Sequence, residues 1–428
     1  MRTPASSSRR DFLVRTAAAG VALGAGLSVV RGAHAAGSDV LKAALIGCGG
    51  RGTGAACDML TADPNVKVVA VADAFEDRTK AAIGHLQNQF GPRCDVPPER
   101  AFAGLDAYQK AIAAGVDVVI LATPPGFRPS HYQAAVEAGR HVFMEKPCCV
   151  DAPGFRTLMA ANKLAEEKNL KVGVGLQRRH ESSYLGGVQQ IQDGRLGKFM
   201  FSRVYWNGGG IWFRPRTAGE TEMHYQVRNW YHFVWLSGDN ICEQHVHNLD
   251  VGNWVKGDHP VEANGMGACI QRYKTCNPQS GSGQIFDTHF VEFTYKDGTK
   301  MYSQCRQINN TWTSVSETIH GAKGTGGVGG QGPKLKFGNP YQQEHYDLLQ
   351  AIRGGAKYHE GWHGATSSFT AVLGRMATYS GQIVKWDDAV AGGVSDFPDK
   401  LDWNAPSKVV PDERGNYPIP IPGVYKPY

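Results

Sequence analysis

An apolar stretch, Val40 to Ile46 (VLKAALI), runs straight into Gly47-Cys48-Gly49-Gly50-Arg51-Gly52, and residues 53–61 then read as a helix. Few folds accept a strand, a glycine loop and a helix in that order. Gly47 permits the tight turn, Gly49 lets the main chain approach a pyrophosphate, and Gly52 lets the helix pack close to the strand. The helix N-terminus offers unpaired N–H groups and a partial positive charge to phosphates. The chain holds 53 glycines, so the loop alone says little and its surroundings decide. Val66 to Ala72 (VKVVAVA) is a second buried strand, and it ends at Asp73, 21 residues after Gly52. A carboxylate there accepts hydrogen bonds from an adenosine ribose and repels a 2′-phosphate, so NAD is favoured over NADP.

The alternation continues. Tyr108 to Ala114 reads as helix, Val116 to Ala122 (VDVVILA) as strand, His131 to Ala138 as helix and His141 to Met144 as strand. Strands alternating with helices imply a parallel, doubly wound sheet. Thr123-Pro124-Pro125 and Glu145-Lys146-Pro147 follow two of these strands, at the carboxyl ends where such sheets bind ligands. Thr123, Pro124, Pro125, Glu145 and Lys146 therefore join Gly47, Cys48, Gly49, Gly50, Arg51, Gly52 and Asp73 as candidate cofactor-binding residues.

The chain's ends carry separate information. Ser8-Arg9-Arg10-Asp11-Phe12-Leu13, a weakly apolar run from Ala17 to Val30 and Ala33-His34-Ala35 together read as a twin-arginine export signal over residues 1–35. The expectation is a periplasmic or otherwise exported protein that engages the twin-arginine machinery. The run is too short and too weakly apolar for a membrane span. That route exports folded proteins, so a cytoplasmic nucleotide can be loaded, and tightly bound, beforehand. The net charge of +6 owes much to Arg2, Arg9, Arg10, Arg15 and Arg31, opposed there only by Asp11. The remainder is close to neutral and offers no nucleic-acid surface. Nine scattered cysteines without a Cys-x-x-Cys pair suggest neither a disulfide framework nor a metal site.

Beyond residue 160 the pattern changes. Leu170 to Leu176 is an apolar strand leading into Gln177-Arg178-Arg179-His180, and Tyr184 to Asp193 is helical. Lys198–Trp206, Val261–Arg272, Gln284–Tyr295, Lys300–Gln307 and Thr313–His320 read as five longer strands, with Lys296-Asp297-Gly298 as a hairpin turn. Helices at Tyr341–Arg353 and Ser367–Ile383 return to cover them, and Gly324 to Gly332 reads as a flexible loop. Between residues 203 and 236, Trp206, Trp212, Arg214 and Tyr231 stand among further aromatic and basic residues. Aromatic faces with adjacent donors suit a sugar ring, although core tryptophans beside a surface loop are an equal alternative. Glu243 and His247 fall i, i+4 on an expected helix, where a carboxylate and an imidazole on one face can form a base and its orienting partner. A surface ion pair, or a metal cluster with His245 were the segment a strand, are the alternatives. From Trp386 the chain becomes proline-rich and reads as an arm over the domain surface or a partner.

The loop GCGGRG, Asp73, ATPP at 122–125 and AGRHVFMEKP at 138–147 together resemble the Gfo/Idh/MocA oxidoreductases, the family of glucose–fructose oxidoreductase and inositol dehydrogenase. The resemblance covers about residues 40–390. It implies a Rossmann domain over 38–160, an α+β domain with a largely antiparallel open sheet over 161–385, and the arm over 386–428. It further implies dimerisation through the open sheet face, giving a homodimer or homotetramer. The family's EKP lysine sits beside the nicotinamide and contacts the reacting hydroxyl, a role that falls on Lys146. A second family motif, Asp-x-Gly-x-His-x-x-Asp, is matched in part from Glu243 to Asp250, with Glu243 in place of the first Asp and His245 in place of Gly. Arg179, His180 and His345 are further substrate candidates by family position.

Together these features predict an NAD-dependent oxidoreductase that moves a hydride to or from a hydroxyl-bearing carbon of a sugar, cyclitol or glycoside. Lys146 would polarise the oxygen, His247 would shuttle the proton, and Glu243 would orient His247 or a substrate hydroxyl. One alternative is an NAD-dependent glycoside hydrolase or lyase working by transient oxidation and elimination. Another is a non-catalytic dinucleotide-binding protein.

Overall fold

The computed structural model describes residues 39–270 and 283–428; the export signal expected over 1–35 and the last residues of the strand expected over 261–272 lie outside them. Six strands, β1 (Leu41–Ile46), β2 (Val66–Asp73), β3 (Ala101–Ala103), β4 (Val118–Leu121), β5 (His141–Met144) and β6 (Val172–Val174), form a parallel sheet. Its order, β3-β2-β1-β4-β5-β6, is that of a doubly wound nucleotide fold. The period of two along β1 assigns its side chains to two layers. Ala43 and Leu45 pack with the helix Gly50–Ala62, whereas Ala44 and Ile46 pack with the helices Arg128–Glu137 and Ala152–Glu167. Both faces are covered, which is why these strands read as unbroken apolar runs.

The strand expected at 170–176 in the second domain instead closes this first sheet, pairing in parallel with β5 as β6. A Cβ on Gly173 would lie 3.2 Å from Leu348, so the bare glycine admits the helix Pro340–Gly354 against the sheet. Leu348, Leu349 and Ile352 of that helix complete the apolar layer beneath β1 and β4.

The second sheet has seven strands in the order β12-β11-β7-β10-β9-β8-β13: β7 (Phe199–Gly208), β8 (Pro260–Ala268), β9 (Thr288–Tyr295), β10 (Lys300–Gln307), β11 (Ser314–Gly321), β12 (Gly324–Gly327) and β13 (Val384–Lys385). β7 and β10 run parallel and every other neighbouring pair is antiparallel. The hairpin at Lys296-Asp297-Gly298 forms, with Gly298 at φ +83°. Val291 and Phe293 face the helix Gly361–Ser380, Met301 lies against Gly252 and Cys305 against Asn240, and all four are buried. The other face leaves Met266 and its cross-strand partner Phe290 exposed, with Phe201 packed edge-on against Tyr302.

Two expectations are corrected here. Part of the glycine stretch at 324–332 is the edge strand β12, and Val328 is buried beside Val188 and Leu196. A Cβ on Gly187 would fall 1.3 Å from the Val328 carbonyl, so close glycine packing fixes what composition suggested was loose. The helix expected over 367–383 runs Gly361–Ser380 and stops at Gly381, φ +67°, which frees Val384 for β13. The C-terminal arm lies along the second domain, with Tyr417 buried beside Tyr225 and Phe233. Among the described residues no helix is long and apolar enough to cross a membrane.

Candidate active site

A cavity of about 410 Å³ opens at the carboxyl ends of β1, β2 and β4. Main-chain geometry shapes its floor. Gly47 turns the chain at φ +98°, and any Cβ there would strike Ala122 at 2.4 Å. A Cβ on Gly52 would lie 1.8 Å from the Gly47 carbonyl oxygen, so helix and strand approach only because it is absent. Gly49 and Gly50 face open cavity, and the helix Gly50–Ala62 starts there with no side-chain cap on its first N–H groups. These are the requirements of a pyrophosphate cradle.

Asp73 lines the cavity at the end of β2. Its Oδ2 accepts from the Cys48 N–H at 2.7 Å and its Oδ1 from the Phe75 N–H at 3.0 Å, which fixes the carboxylate while leaving each oxygen further acceptor capacity. Burial raises its pKa, opposed by these two N–H donors. Cys48, expected among the cofactor contacts, is corrected. Its N–H is spent on Asp73 and its buried thiol points to the Ala72 carbonyl at 3.4 Å. Arg51 lines the cavity between Glu145 (2.9 Å) and Asp58 (3.0 Å), over the Tyr341 ring. The residues present therefore fit a dinucleotide.

Thr123, Pro124 and Pro125 form the wall after β4, and Glu145 and Lys146 the wall after β5. Arg128, which sequence reasoning passed over, clamps the two: buried, it donates to the Thr123 and Pro147 carbonyls. His131 contacts the Thr123 hydroxyl at 3.2 Å and stacks on Tyr108 at 3.9 Å, both rings lining the cavity. Its position at the start of an amphipathic helix gave no signal distinguishing it from a core histidine.

Lys146 meets the second domain at Glu243. Its Nζ donates to the Glu243 carbonyl at 2.5 Å and to Oε1 at 3.1 Å. Glu243 and His247 do not share a helix face as expected. The helix Asn240–Glu243 ends, and Val246–Lys256 begins after a break at Gln244-His245. The break frees the Glu243 carbonyl from the helical ladder, and Lys146 takes it. His247 stacks on Trp206 with ring centroids 5.9 Å apart. Burial, then the charges of Lys146 and Arg178, push its pKa well below the ordinary histidine value, so the ring is neutral. Burial raises Glu243, against Lys146 and Arg128. Among the described residues, Glu243 Oε2 and His247 Nδ1 are buried polar atoms with no hydrogen-bond partner. His245 turns away, to Ser303 at 2.7 Å, and burial pushes its pKa down to about 3.

The remaining substrate candidates scatter. Trp206 lies beside His247. Trp212 and Arg214 line the dinucleotide cavity, and the charges that act on Arg214 are those of Arg78, Arg228 and Asp77, at the β2 side. Tyr231 is 3% exposed and its hydroxyl accepts from Gln307 at 2.6 Å, which makes it a core residue. Arg179 is held bidentately by Asp250 at 2.8–3.2 Å. His180 is enclosed by Asp347 (2.7 Å) and Glu360 (3.0 Å); burial opposes its charged form, but the two carboxylates win and push its pKa up to about 10. His345 is wholly buried against Phe143 at 4.0 Å, behind the parallel sheet and away from the cavity. Helical spacing from Tyr341 could have marked His345 as a core position.

Residues 41–176 match the family model described as oxidoreductase family, NAD-binding Rossmann fold (GFO_IDH_MocA). Inositol 2-dehydrogenase of Rhizobium meliloti is 23% identical over 323 residues, spanning 74% of this chain and 84% of that one. A glycosyl hydrolase family 109 protein of Streptomyces coelicolor is 30% identical over 201 residues, 43% of this chain and 41% of its own length. Among solved structures, scyllo-inositol dehydrogenase from Lactobacillus casei with bound NAD(H) and scyllo-inositol superposes with a TM-score of 0.61 at 18% identity, over 82% of this chain and all of that one.

Proposed function

Because the nucleotide-binding domain belongs to the Gfo/Idh/MocA oxidoreductase family, we propose that the chain oxidises or reduces a hydroxyl-bearing carbon of a cyclitol or sugar with NAD. The observation that carries this reading is the contact of Lys146 with Glu243 at the glycine-loop cavity, close enough to His247 for the lysine's charge to lower that ring's pKa. NAD, when bound, supplies the hydride-accepting nicotinamide. Lys146 donates a hydrogen bond to the reacting oxygen and stabilises the negative charge that grows on it. His247, already neutral, takes the hydroxyl proton. Glu243 holds Lys146 through two contacts and turns its free Oε2 to a neighbouring substrate hydroxyl. The open face around Met266 and Phe290 serves as a homodimer surface, and the signal at residues 1–35 directs export by the twin-arginine route.

The likeness to the family 109 glycosyl hydrolase supports a second reading. Oxidation beside a glycosidic carbon would acidify the adjacent C–H, elimination would expel the aglycone, water would add to the resulting unsaturated ketone, and return of the hydride to that ketone would restore the oxidised cofactor. The test is to add an inositol and glycoside panel to the purified holoprotein. A ketone product with reduced nicotinamide supports the dehydrogenase. Aglycone release without net reduction supports the second reading. Inertness of a protein with bound NAD across the panel would sink both.

A further inference from the structure

We infer that the segment between β7 and the helix Asn240–Glu243 is a strap over the adenosine half of the dinucleotide, latched by the C-terminal arm, and that NAD is consequently a resident group that outlasts the catalytic cycle. This rests on the dinucleotide reading of the cavity.

The second domain reaches the cavity at two places. Glu243 meets Lys146 where the hydride is exchanged. Trp212, Arg214, Val227, Arg228 and Trp230 reach it elsewhere, alongside Asp73, Phe75 and Arg78. The acid at the end of β2 marks the ribose of the adenosine, so this second group covers the end of the cofactor that undergoes no chemistry. Its role is retention.

The strap is attached to both neighbours. Toward the nucleotide domain, the Arg228 guanidinium lies 4.4 Å above the Phe75 ring and 3.6 Å from Asp77. Gly126, directly after the Thr123-Pro124-Pro125 wall, donates to the Leu236 carbonyl at 2.9 Å, and a Cβ there would fall 2.0 Å from the Trp235 carbonyl. Toward the C-terminus, Thr221 Oγ1 donates to the Trp403 carbonyl at 2.7 Å, Gln226 Nε2 to the Val409 carbonyl at 2.8 Å, and Arg216 to the Tyr417 hydroxyl at 2.9 Å. Tyr417 in turn donates to Glu222. Trp403 packs on Phe75 at 5.5 Å, so the arm touches the wall of the adenosine site as well as the strap. One apolar cluster joins Phe127, Val227, Phe233 and Tyr417, with Phe75, Trp230 and Trp403 packed against it.

Release of the adenosine end requires the strap to lift, and lifting it parts the strap from the arm. A lid of this kind delays exchange without entering the reaction.

The measurement is exchange of labelled NAD into the purified full-length holoprotein, compared with its turnover rate. The expected result is bound nucleotide on isolation and exchange at least tenfold slower than turnover. Trp403→Ala and the milder Tyr417→Phe, each confirmed as folded by circular dichroism, should speed exchange about tenfold and about threefold. Wild-type exchange as fast as turnover overturns the strap while leaving the oxidoreductase reading intact. Unchanged exchange in a folded Tyr417→Phe and a folded Trp403→Ala overturns the latch. A protein that binds no dinucleotide overturns both readings together.

Discussion

The two walls of the cavity are made by different means. On the nucleotide side, the shape follows from what is missing: bare α-carbons at Gly47 and Gly52 let a turn and a helix approach within distances no side chain would tolerate. On the other side, side chains from residues 206–250 are held by partners far away in sequence, such as Trp403 for Thr221 and Lys146 for Glu243. The first wall is rigid and local. The second is assembled from distant pieces, and it is where relatives of one fold would diverge in substrate and in cofactor exchange.

Breaking the first wall should act on cofactor binding. Gly52→Val places atoms inside the Gly47 carbonyl, and NAD affinity should fall by at least about a hundredfold, near 3 kcal/mol; titration calorimetry on protein freed of nucleotide measures this. Lys146→Met removes the contact between the walls. Turnover should fall about a thousandfold while bound NAD is kept, since the lost donor acts on the reacting oxygen. His247→Asn should cost about a hundredfold in kcat at neutral pH, with the rate climbing as pH rises because solvent base substitutes for the lost acceptor. Asp73→Ala sharpens the comparison on the local side: NAD should weaken about tenfold and NADP should gain, because the acid no longer repels a 2′-phosphate. Equal loss for both cofactors would remove Asp73 from the ribose site.

The last effect is on stability alone. His180 titrates at about 10 in the fold, above an unfolded histidine near 6.5. Its stabilisation is complete below pH 6.5 and is lost as pH rises through about 10. Thermal unfolding between pH 6.5 and 10 should reveal a decline on the order of a few kcal/mol, and His180→Gln should flatten it.

The same contrast explains what the sequence disclosed. The strand–loop–helix and Asp73 were legible because each depends on spacing within a few tens of residues, whereas Lys146 was singled out through the EKP tripeptide of the family resemblance. The break at Gln244-His245 was not, because the i, i+4 spacing of Glu243 and His247 fits a continuous helix equally well. Only the competition of Lys146, 97 residues away, for the Glu243 carbonyl distinguishes them. Trp212 and Arg214 were read as substrate candidates, whereas they line the cavity on the side of Arg78 and Arg228, which composition could not distinguish. Tyr231, His180 and His345 were drawn in by position and chemistry, whereas burial gives them partners or packing of their own. β6 was read as a strand of the second domain with no sheet named for it, since a short apolar run carries no label for its neighbour.

The helix Pro340–Gly354 gives the molecule a history as well as a shape. Leu348, Leu349 and Ile352 belong to the apolar layer that covers β1 and β4, so a nascent chain ending near residue 176 has every strand of the parallel sheet and the helix Gly50–Ala62 but lacks part of the cover of that face. Translation must run on past β12 before that layer is sealed, so the nucleotide domain is completed late, by a helix that follows most of the second sheet.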